Sequence, residues 1–288
     1  MAARNASRRD ARCERAPIAP TMRLPTEVSM AMRWLGIGCA LLFAAAAQAG
    51  DGRLEINQHC ATATGCSGSD VAGFPVSTSP GKSYVLTSSL AVADANTNAV
   101  NLAAGAALDL NGFSITGPAQ CTGTPPTCVG LGTGRGVSTS DGASVRNGRI
   151  AGMGGDGVGG SAAQLEKLLI EANGDAGVQA SGASGWRISD CRIVRNAADG
   201  IRLDAATRLD LVRRTTVYGN GNRGVVGYSP LIVDSAIYGN AGAGFESLSE
   251  VAIGSSGLAA NNGGAGQPQA VGDFTEVGPN ACDAGACP

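Results

Sequence analysis

Histidine is almost absent from this chain of 288 residues: His59 is the one copy, and none of the nine cysteines forms a C-x-x-C pair. Transition-metal sites are built from several His and Cys ligands at short spacings. We interpret His59, which stands beside Cys60, as a surface residue rather than a catalytic base. The sequence therefore predicts no metal site and no cofactor.

An excess of basic residues is also lacking. The 21 Lys and Arg stand against 23 Asp and Glu, and after residue 49 the balance is 14 against 20, a net charge of −6. Proteins that bind nucleic acid through its phosphates need a basic surface. The composition therefore argues against a nucleic-acid partner.

Long hydrophobic runs are missing as well. The most apolar stretch, 34–47, has 14 residues, which is too short to cross a bilayer comfortably. It follows an arginine and precedes the small residues Ala47-Gln48-Ala49, an order typical of a secretory signal peptide. We predict a signal peptide at 30–49, after an extension, 1–29, that precedes the true start or has no structural role. The mature chain is then secreted or periplasmic, without a transmembrane segment.

Six of the seven cysteines that follow residue 49 form local couples. In an exported protein, such couples are typical of disulfides that close small loops. Cys191 has no near partner, and we interpret it as a small core residue rather than a nucleophile. The predicted disulfides are Cys60–Cys66, Cys121–Cys128 and Cys282–Cys287.

A glycine followed by Val, Ile or Phe recurs every 20–24 residues. Asparagine stands four residues before the later glycines, and apolar residues stand eight and three residues before each asparagine. Val145/Ile150 and Leu110/Ile115 fit the same columns in earlier repeats. The columns are Gly136, Gly157, Gly177, Gly200, Gly224 and Gly244, and Asn173, Asn196, Asn220 and Asn240, continued by Asn262.

A period of this length indicates stacked supersecondary units. Residues 201–204 alternate, with Ile201 and Leu203 on one side and Arg202 and Asp204 on the other, as in a short strand. Stacked coils of such strands pair in parallel about 4.8 Å apart. Glycine and asparagine suit the corners, where φ is often positive, and stacked asparagines can hydrogen-bond along the axis.

The leucine-rich repeat has a similar period but needs leucine at most core positions. The core columns here hold Ile, Val, Leu, Cys and Thr instead. We therefore predict an all-β fold, a single-stranded right-handed parallel β-helix, or solenoid, with disulfide-bearing end caps. Its right-handedness rests on the resemblance described next and on the usual hand of parallel crossovers.

Four segments carry a family resemblance: LDLNGFSITGP (108–118), SVRNGRIAGMGGDGV (144–158), IVRNAADGI (193–201) and VGPNACDAGACP (277–288). They resemble the bacterial secreted right-handed parallel β-helix repeat proteins of the pectin-lyase-like superfamily. The resemblance covers roughly residues 80–288 and is specific for fold rather than for activity.

The ends of an open solenoid expose unpaired backbone and core, so caps are expected there. We place an N-terminal cap at 50–80 and a C-terminal cap at 267–288. The coils occupy 81–266 and include a cysteine-bounded loop insert at 117–135.

The superfamily includes pectate lyases, polygalacturonases, alginate epimerases and adhesins, so the fold alone does not select an activity. The sequence lacks the Gly-His-Gly and paired aspartates of polygalacturonases and the Asp-Pro-His motif of alginate epimerases. A lyase needs only a base and a group that neutralises the substrate carboxylate.

Related enzymes carry their groove on the strand that follows the glycine column. Its outward residues here supply the catalytic candidates Arg202, Asp204 and Glu246, and the ligand-binding candidates Tyr228 and Gln179. The alternative interpretation is an ordinary solvated strand face.

Seven arginines between 187 and 214 could hold an acidic polysaccharide. Alternation directs them to several faces, and four aspartates are interspersed, so a solvated surface is the favoured interpretation. The arginines are Arg187, Arg192, Arg195, Arg202, Arg208, Arg213 and Arg214.

These observations favour an exported protein that presents a rigid face for carbohydrate binding, with polysaccharide as its partner. One alternative is a polysaccharide (uronate) lyase or a related pectin-lyase-like enzyme, the one case in which calcium is expected. The other is a structural or adhesive surface protein without a small ligand.

Overall fold

The computed structural model describes residues 52–68, 70–182, 185–204, 210–264 and 267–283. The expected signal peptide, the extension before it, Arg208 and Cys287 lie outside the described residues. The described part consists of short β-strands and one π-helix, Cys60–Thr64. No helix in this part is long and apolar enough to cross a membrane.

Three strand positions alternate along the chain, and each strand pairs in parallel with its counterpart in the next coil. The first and second positions share a seventeen-stranded sheet, and the third positions form a nine-stranded sheet. The strand ladder therefore forms a solenoid, as the period predicts.

The first-position strands are β1 (Leu54–Ile56), β3 (Ser83–Leu86), β6 (Ala107–Asp109), β15 (Arg187–Ser189), β18 (Asp210–Arg213), β21 (Pro230–Val233), β24 (Val251–Gly254) and β27 (Phe274–Glu276). The second-position strands are β4 (Leu90–Ala91), β7 (Ser114–Thr116), β16 (Arg192–Val194), β19 (Thr216–Tyr218), β22 (Ala236–Tyr238), β25 (Gly257–Ala259) and β28 (Ala281–Cys282). Two longer strands, β11 (Ala143–Ala151) and β13 (Ala163–Glu171), fill both positions in their coils.

The third-position strands are β2 (Val76–Ser77), β5 (Val100–Leu102), β10 (Val137–Thr139), β12 (Val158–Gly160), β14 (Val178–Ala180), β17 (Ile201–Leu203), β20 (Val225–Gly227), β23 (Phe245–Ser247) and β26 (Ala270–Val271). The parallel ladder already begins at β1, which pairs with β3.

The insert carries an antiparallel hairpin of β8 (Gln120–Thr122) and β9 (Thr127–Val129). Cys121 and Cys128 face each other across it and form a disulfide, and Cys60 and Cys66 form a second one. Cys282 is also disulfide-bonded, whereas its expected partner Cys287 is outside the described residues.

Alternate side chains of every strand point inward and stack in rows along the axis. Ile193 pairs with Ile170 in the coil before it and with Val217 in the coil after it, and all three are buried. The expected column of Leu165, Ile188, Val212 and Ile232 is confirmed in the same way. These rows form one continuous apolar core along the solenoid.

One expected column assignment was wrong, although the residue is part of the core. The residue that pairs with Val145 is Leu108, not Leu110. Leu110 is buried beside Gly148, at the corner between the first and second positions. The expected inward column of Leu168, Cys191 and Thr215 lies at this same corner, and all three are buried. Burial raises the pKa of the Cys191 thiol to about 12.

The glycine column directly precedes the third-position strands from β10 to β23, and its physical reason differs from the one expected. The backbone of Gly200 is not in the left-handed region. A Cβ atom there would lie 2.6 Å from the carbonyl oxygen of Gly224 and 2.8 Å from Nδ2 of Asn220. Glycine is therefore required by close packing between coils rather than by a positive φ.

Buried asparagines form a ladder at the corner before this strand. Asn173 Nδ2 donates to Asn196 Oδ1 at 2.9 Å, and Asn196 Nδ2 donates to Asn220 Oδ1 at 3.0 Å. The ladder continues through Asn240 to Asn261. Asn262, the expected last member, instead has a φ of 54° and lies outside the ladder.

Each rung also satisfies backbone groups of a neighbouring coil. Asn196 Oδ1 accepts the backbone N–H of Asn173, and Asn196 Nδ2 donates to the carbonyl oxygen of Ile170. Backbone groups left without partners in a buried corner cost free energy. The asparagine side chain of one coil thus satisfies the backbone hydrogen-bonding groups of the coil before it.

We predict that Asn196→Ala lowers the free energy of unfolding by about 3 kcal/mol or more, because it leaves several buried donors and acceptors unpaired. Asn222→Ala is the matched control: Asn222 is exposed in the next turn, and its truncation should cost about 0.5 kcal/mol or less. Chemical denaturation of both variants measures the difference. Equal losses would contradict the structural role of the ladder.

Candidate functional site

The outward row of the nine-stranded sheet carries three of the five predicted site residues. Gln179 pairs in register with Arg202, Arg202 with Val226, and Val226 with Glu246. Val226 points outward, as expected, yet only 1% of it is exposed. The row is therefore a packed surface of interacting side chains rather than an open groove.

A buried carboxylate organises the charges of this row. Asp199, fully buried in the corner before β17, accepts hydrogen bonds from Nε of Arg202 at 2.8 Å and from Nε of Arg223 at 2.9 Å. Arg223 Nη1 also donates to Glu246 Oε1 at 3.0 Å. Arg202 and Glu246 thus belong to one ion-pair network, whose central residues, Asp199 and Arg223, were missed as partners at the sequence level.

The electrostatics of Asp199 follow from these contacts. Burial alone would raise the pKa of its carboxyl group, but the guanidinium groups of Arg223 and Arg202 outweigh that effect and lower the pKa below the ordinary 3.8. The carboxylate therefore stays ionised and holds both arginines in place.

The two remaining candidates lie at the edge of this network. Asp204 is exposed and accepts a hydrogen bond from Gln179 Nε2 at 2.7 Å. Tyr228, half-buried just after β20, has no side-chain hydrogen bond or ring contact with the other four candidates within the described residues. The structure thus connects Gln179, Arg202 and Asp204 directly, and Glu246 through Arg223.

A second charged surface lies on the first-position strands and forms a groove of about 360 Å³. Two rows of outward residues make its floor. One row is Ser144, Gln164, Arg187 and Leu211, and the other is Arg146, Glu166, Ser189 and Arg213. We call this surface the arginine groove.

Ion pairs neutralise most charges of the arginine groove. Arg146 Nη2 lies 3.0 Å from Asp109 Oδ2, and Lys167 Nζ lies 3.0 Å from Glu166 Oε1. On the rim, Arg214 and Asp190 form two hydrogen bonds, of 2.7 and 2.8 Å. These pairs leave little net charge of their own.

Arg187 and Arg213 are exposed and have no ion-pair partner within the described part of the chain. Arg187 pairs in register with Leu211, two residues before Arg213, so the two arginines are diagonal neighbours on adjacent coils. Their Cα atoms lie roughly 8 Å apart by strand geometry. The groove floor therefore carries two arginines in adjacent coils that form no ion pair, although Arg213, after Arg214, contributes to lowering the pKa of Asp190.

The structure separates the seven arginines that the sequence groups together. Arg195, Arg202 and Arg214 are paired with acidic side chains. Arg192 is exposed and unpaired in the described structure, but it belongs to a second-position strand outside the groove. Arg208 is not among the described residues.

The family comparison agrees with this geometry. Residues 132–266 match the family model for a right handed beta helix region. The chain contains a right-handed parallel β-helix. No curated protein matches it in sequence.

One solved structure is similar to the β-helix. The A-module of the mannuronan C-5 epimerase of Azotobacter vinelandii aligns with a TM-score of 0.43 and 13% identity, over 81% of this chain and 78% of that chain. Within the described residues of the β-helix, no three His, Cys, Asp or Glu side chains are grouped so that they could hold a metal ion.

The Asp199 network predicts an acid-dependent stability. The pKa of Asp199 is lower in the folded chain than its ordinary value of 3.8. Asp199 therefore contributes to the free energy of unfolding above pH 3.8, and this contribution is lost as the pH falls through the folded-state pKa. Asp199→Asn should lower the free energy of unfolding by about 3 kcal/mol at neutral pH, and the gap to wild type should narrow in acid.

Asp204→Asn is the control, because Asp204 is exposed and should change stability by about 0.5 kcal/mol or less. Denaturant unfolding between neutral pH and pH 3 measures both variants. A gap between Asp199→Asn and wild type that does not change with pH would contradict the proposed network.

Proposed function

We propose that this β-helix is an exported protein that binds acidic polysaccharide in the arginine groove without changing it chemically. The observation that carries the proposal is the diagonal pair Arg187 and Arg213, neither of which forms an ion pair within the described residues. Guanidinium groups bind carboxylates through paired hydrogen bonds. Two adjacent coils would each present one such group to neighbouring carboxylates of a polyanion.

Neighbouring residues of the groove support a sugar ligand. Ser144, Gln164 and Ser189 line the same floor and offer donors and acceptors for hydroxyl groups. Two disulfides between described cysteines support export, because such bonds persist in oxidising compartments.

The alternative proposal is a uronate lyase that uses Arg202, Asp204 and Glu246, with Tyr228 and Gln179 as ligand-binding residues. In this proposal a substrate would have to draw Arg202 away from Asp199 and Glu246 away from Arg223. Breaking a buried ion pair is costly, which favours the arginine groove as the binding surface. A third proposal, a structural or adhesive role, requires neither surface to bind a glycan.

We expect the wild type to bind polygalacturonate and the double variant Arg187→Ala/Arg213→Ala to bind it at least about tenfold more weakly, because two charge-assisted contacts are lost. Arg192→Ala is the matched control, since it removes an exposed and unpaired arginine from a different strand. Isothermal titration calorimetry gives the affinities, and thermal unfolding checks that both variants are folded.

Three outcomes would count against the proposal. An equal loss in Arg192→Ala would indicate nonspecific charge attraction. A loss confined to Gln179→Ala and Tyr228→Ala would place the ligand on the nine-stranded sheet. Release of unsaturated uronate products, detected by ultraviolet absorbance, would favour the lyase.

A further inference from the structure

A pair of stacked tyrosines lies on the outside of the second-position strands. Tyr218 and Tyr238 occupy the same outward row in successive coils, and their rings are 5.1 Å apart between centroids and tilted by 4°. Neither residue belongs to the arginine groove or to the Asp199 network. The stack thus forms a separate aromatic surface.

The residues before and after the two tyrosines in this row are aliphatic. Val194, which is buried, precedes Tyr218 in register, and Ala259, which is exposed, follows Tyr238. One ring face of Tyr238 is therefore covered by Tyr218, and the residue in register with Tyr238 on the other side is Ala259. Tyr238 is 41% exposed.

A cavity of about 390 Å³ opens beside Tyr238. Small residues form much of its wall: Ala236, Gly257, Ala259 and Ala281. Because successive coils are about 4.8 Å apart, a ring placed over Ala259 would continue the tyrosine stack. We call this cavity the tyrosine slot.

A carboxylate lies at the end of the tyrosine slot. Asp283 Oδ2 accepts the backbone N–H of Ala260 at 2.6 Å. Its other oxygen, Oδ1, is buried and has no hydrogen-bond partner within the described structure. A sugar hydroxyl can reach this oxygen only if the Asp283 side chain turns toward the slot, where its carboxylate can accept a hydrogen bond.

We propose that the tyrosine slot binds one neutral hexopyranose residue of a glycan. The apolar C–H face of the sugar would stack on Tyr238, and a ring hydroxyl would donate to Asp283 Oδ1. No Lys or Arg lines the slot, so nothing there would offset repulsion between Asp283 and an anionic sugar. The chemistry of the slot is thus the opposite of that of the arginine groove, and this site does not depend on the proposed function.

The test uses the full chain and a panel of neutral oligosaccharides of hexopyranoses: cellohexaose, mannohexaose and maltohexaose. At least one should bind the wild type, and trigalacturonate should not bind through the slot. Tyr238→Ala should weaken the neutral ligand about tenfold or more, whereas Tyr238→Phe, which keeps the ring, should stay within about threefold.

Ala259→Tyr provides the sharpest variant, because a tyrosine in this position would fill the slot with the protein's own ring. It should abolish binding of the neutral ligand while leaving the melting temperature unchanged or raised. Arg187→Ala/Arg213→Ala should leave this binding unchanged, which separates failure of the slot from failure of the arginine groove.

Failure of the wild type to bind any of the three neutral oligosaccharides would overturn the proposal. So would undiminished binding by Ala259→Tyr, or a loss in Tyr238→Phe as large as that in Tyr238→Ala. Asp283→Asn retains an acceptor oxygen and removes the charge. If Asp283→Asn binds trigalacturonate more tightly than the wild type does, the result agrees with the proposed charge discrimination. If the wild type binds trigalacturonate and Tyr238→Ala does not, the result contradicts it.

Discussion

The buried asparagines at the corners of successive coils, from Asn173 to Asn261, hydrogen-bond to the coils on both sides, as Asn196 does to Ile170 and to Asn220. The Nδ2 of Asn196 donates to Oδ1 of Asn220, and the same hydrogen bond joins Asn220 to Asn240 and Asn240 to Asn261. The series ends at Gln269, whose Oε1 accepts the hydrogen bonds of Asn261. Because a slip of one residue would leave the donors of this ladder without partners, the hydrogen bonds fix the register of the coils from Asn173 to Gln269.

A fixed register determines which surface charges can meet. On the nine-stranded sheet, Asp199 lies within reach of both Arg202 and Arg223, so these charges form ion pairs inside the protein. On the first-position strands, Arg187 and Arg213 face Leu211 and Ser189 across the ladder instead. The same arginine-rich stretch therefore yields a structural network on one face and, among the described residues, two arginines without an ion pair on another.

The columns of glycine, asparagine and aliphatic residues predicted the solenoid because packing and corner hydrogen bonds recur in every coil. The errors have a common cause in the corners. Single residues with positive φ, such as Asn147 and Asp190, join the first and second strands, and Ala260 precedes Asn261 in the same conformation. Corner length also varies between coils: Leu108 and Ile115 are seven residues apart where Val145 and Ile150 are five, so the fixed spacing misplaced Leu110. The segment between Asn261 and the strand that begins at Ala270 is longer than the one between Asn240 and Phe245, so the same spacing placed Asn262 in the ladder. Which arginines form ion pairs, and the presence of the slot beside Tyr238, could be seen only once the register of the coils was known in three dimensions.

The central claim is that the arginine groove holds a polyanion through guanidinium groups that form no ion pair within the described residues. The dependence of polygalacturonate affinity on salt concentration tests it most directly, because exposed charge interactions are screened by salt. The account predicts an affinity that falls steeply as salt rises, with a slope that is clearly reduced in Arg187→Ala/Arg213→Ala. An affinity that is independent of salt, or a slope that the double variant leaves unchanged, would contradict it.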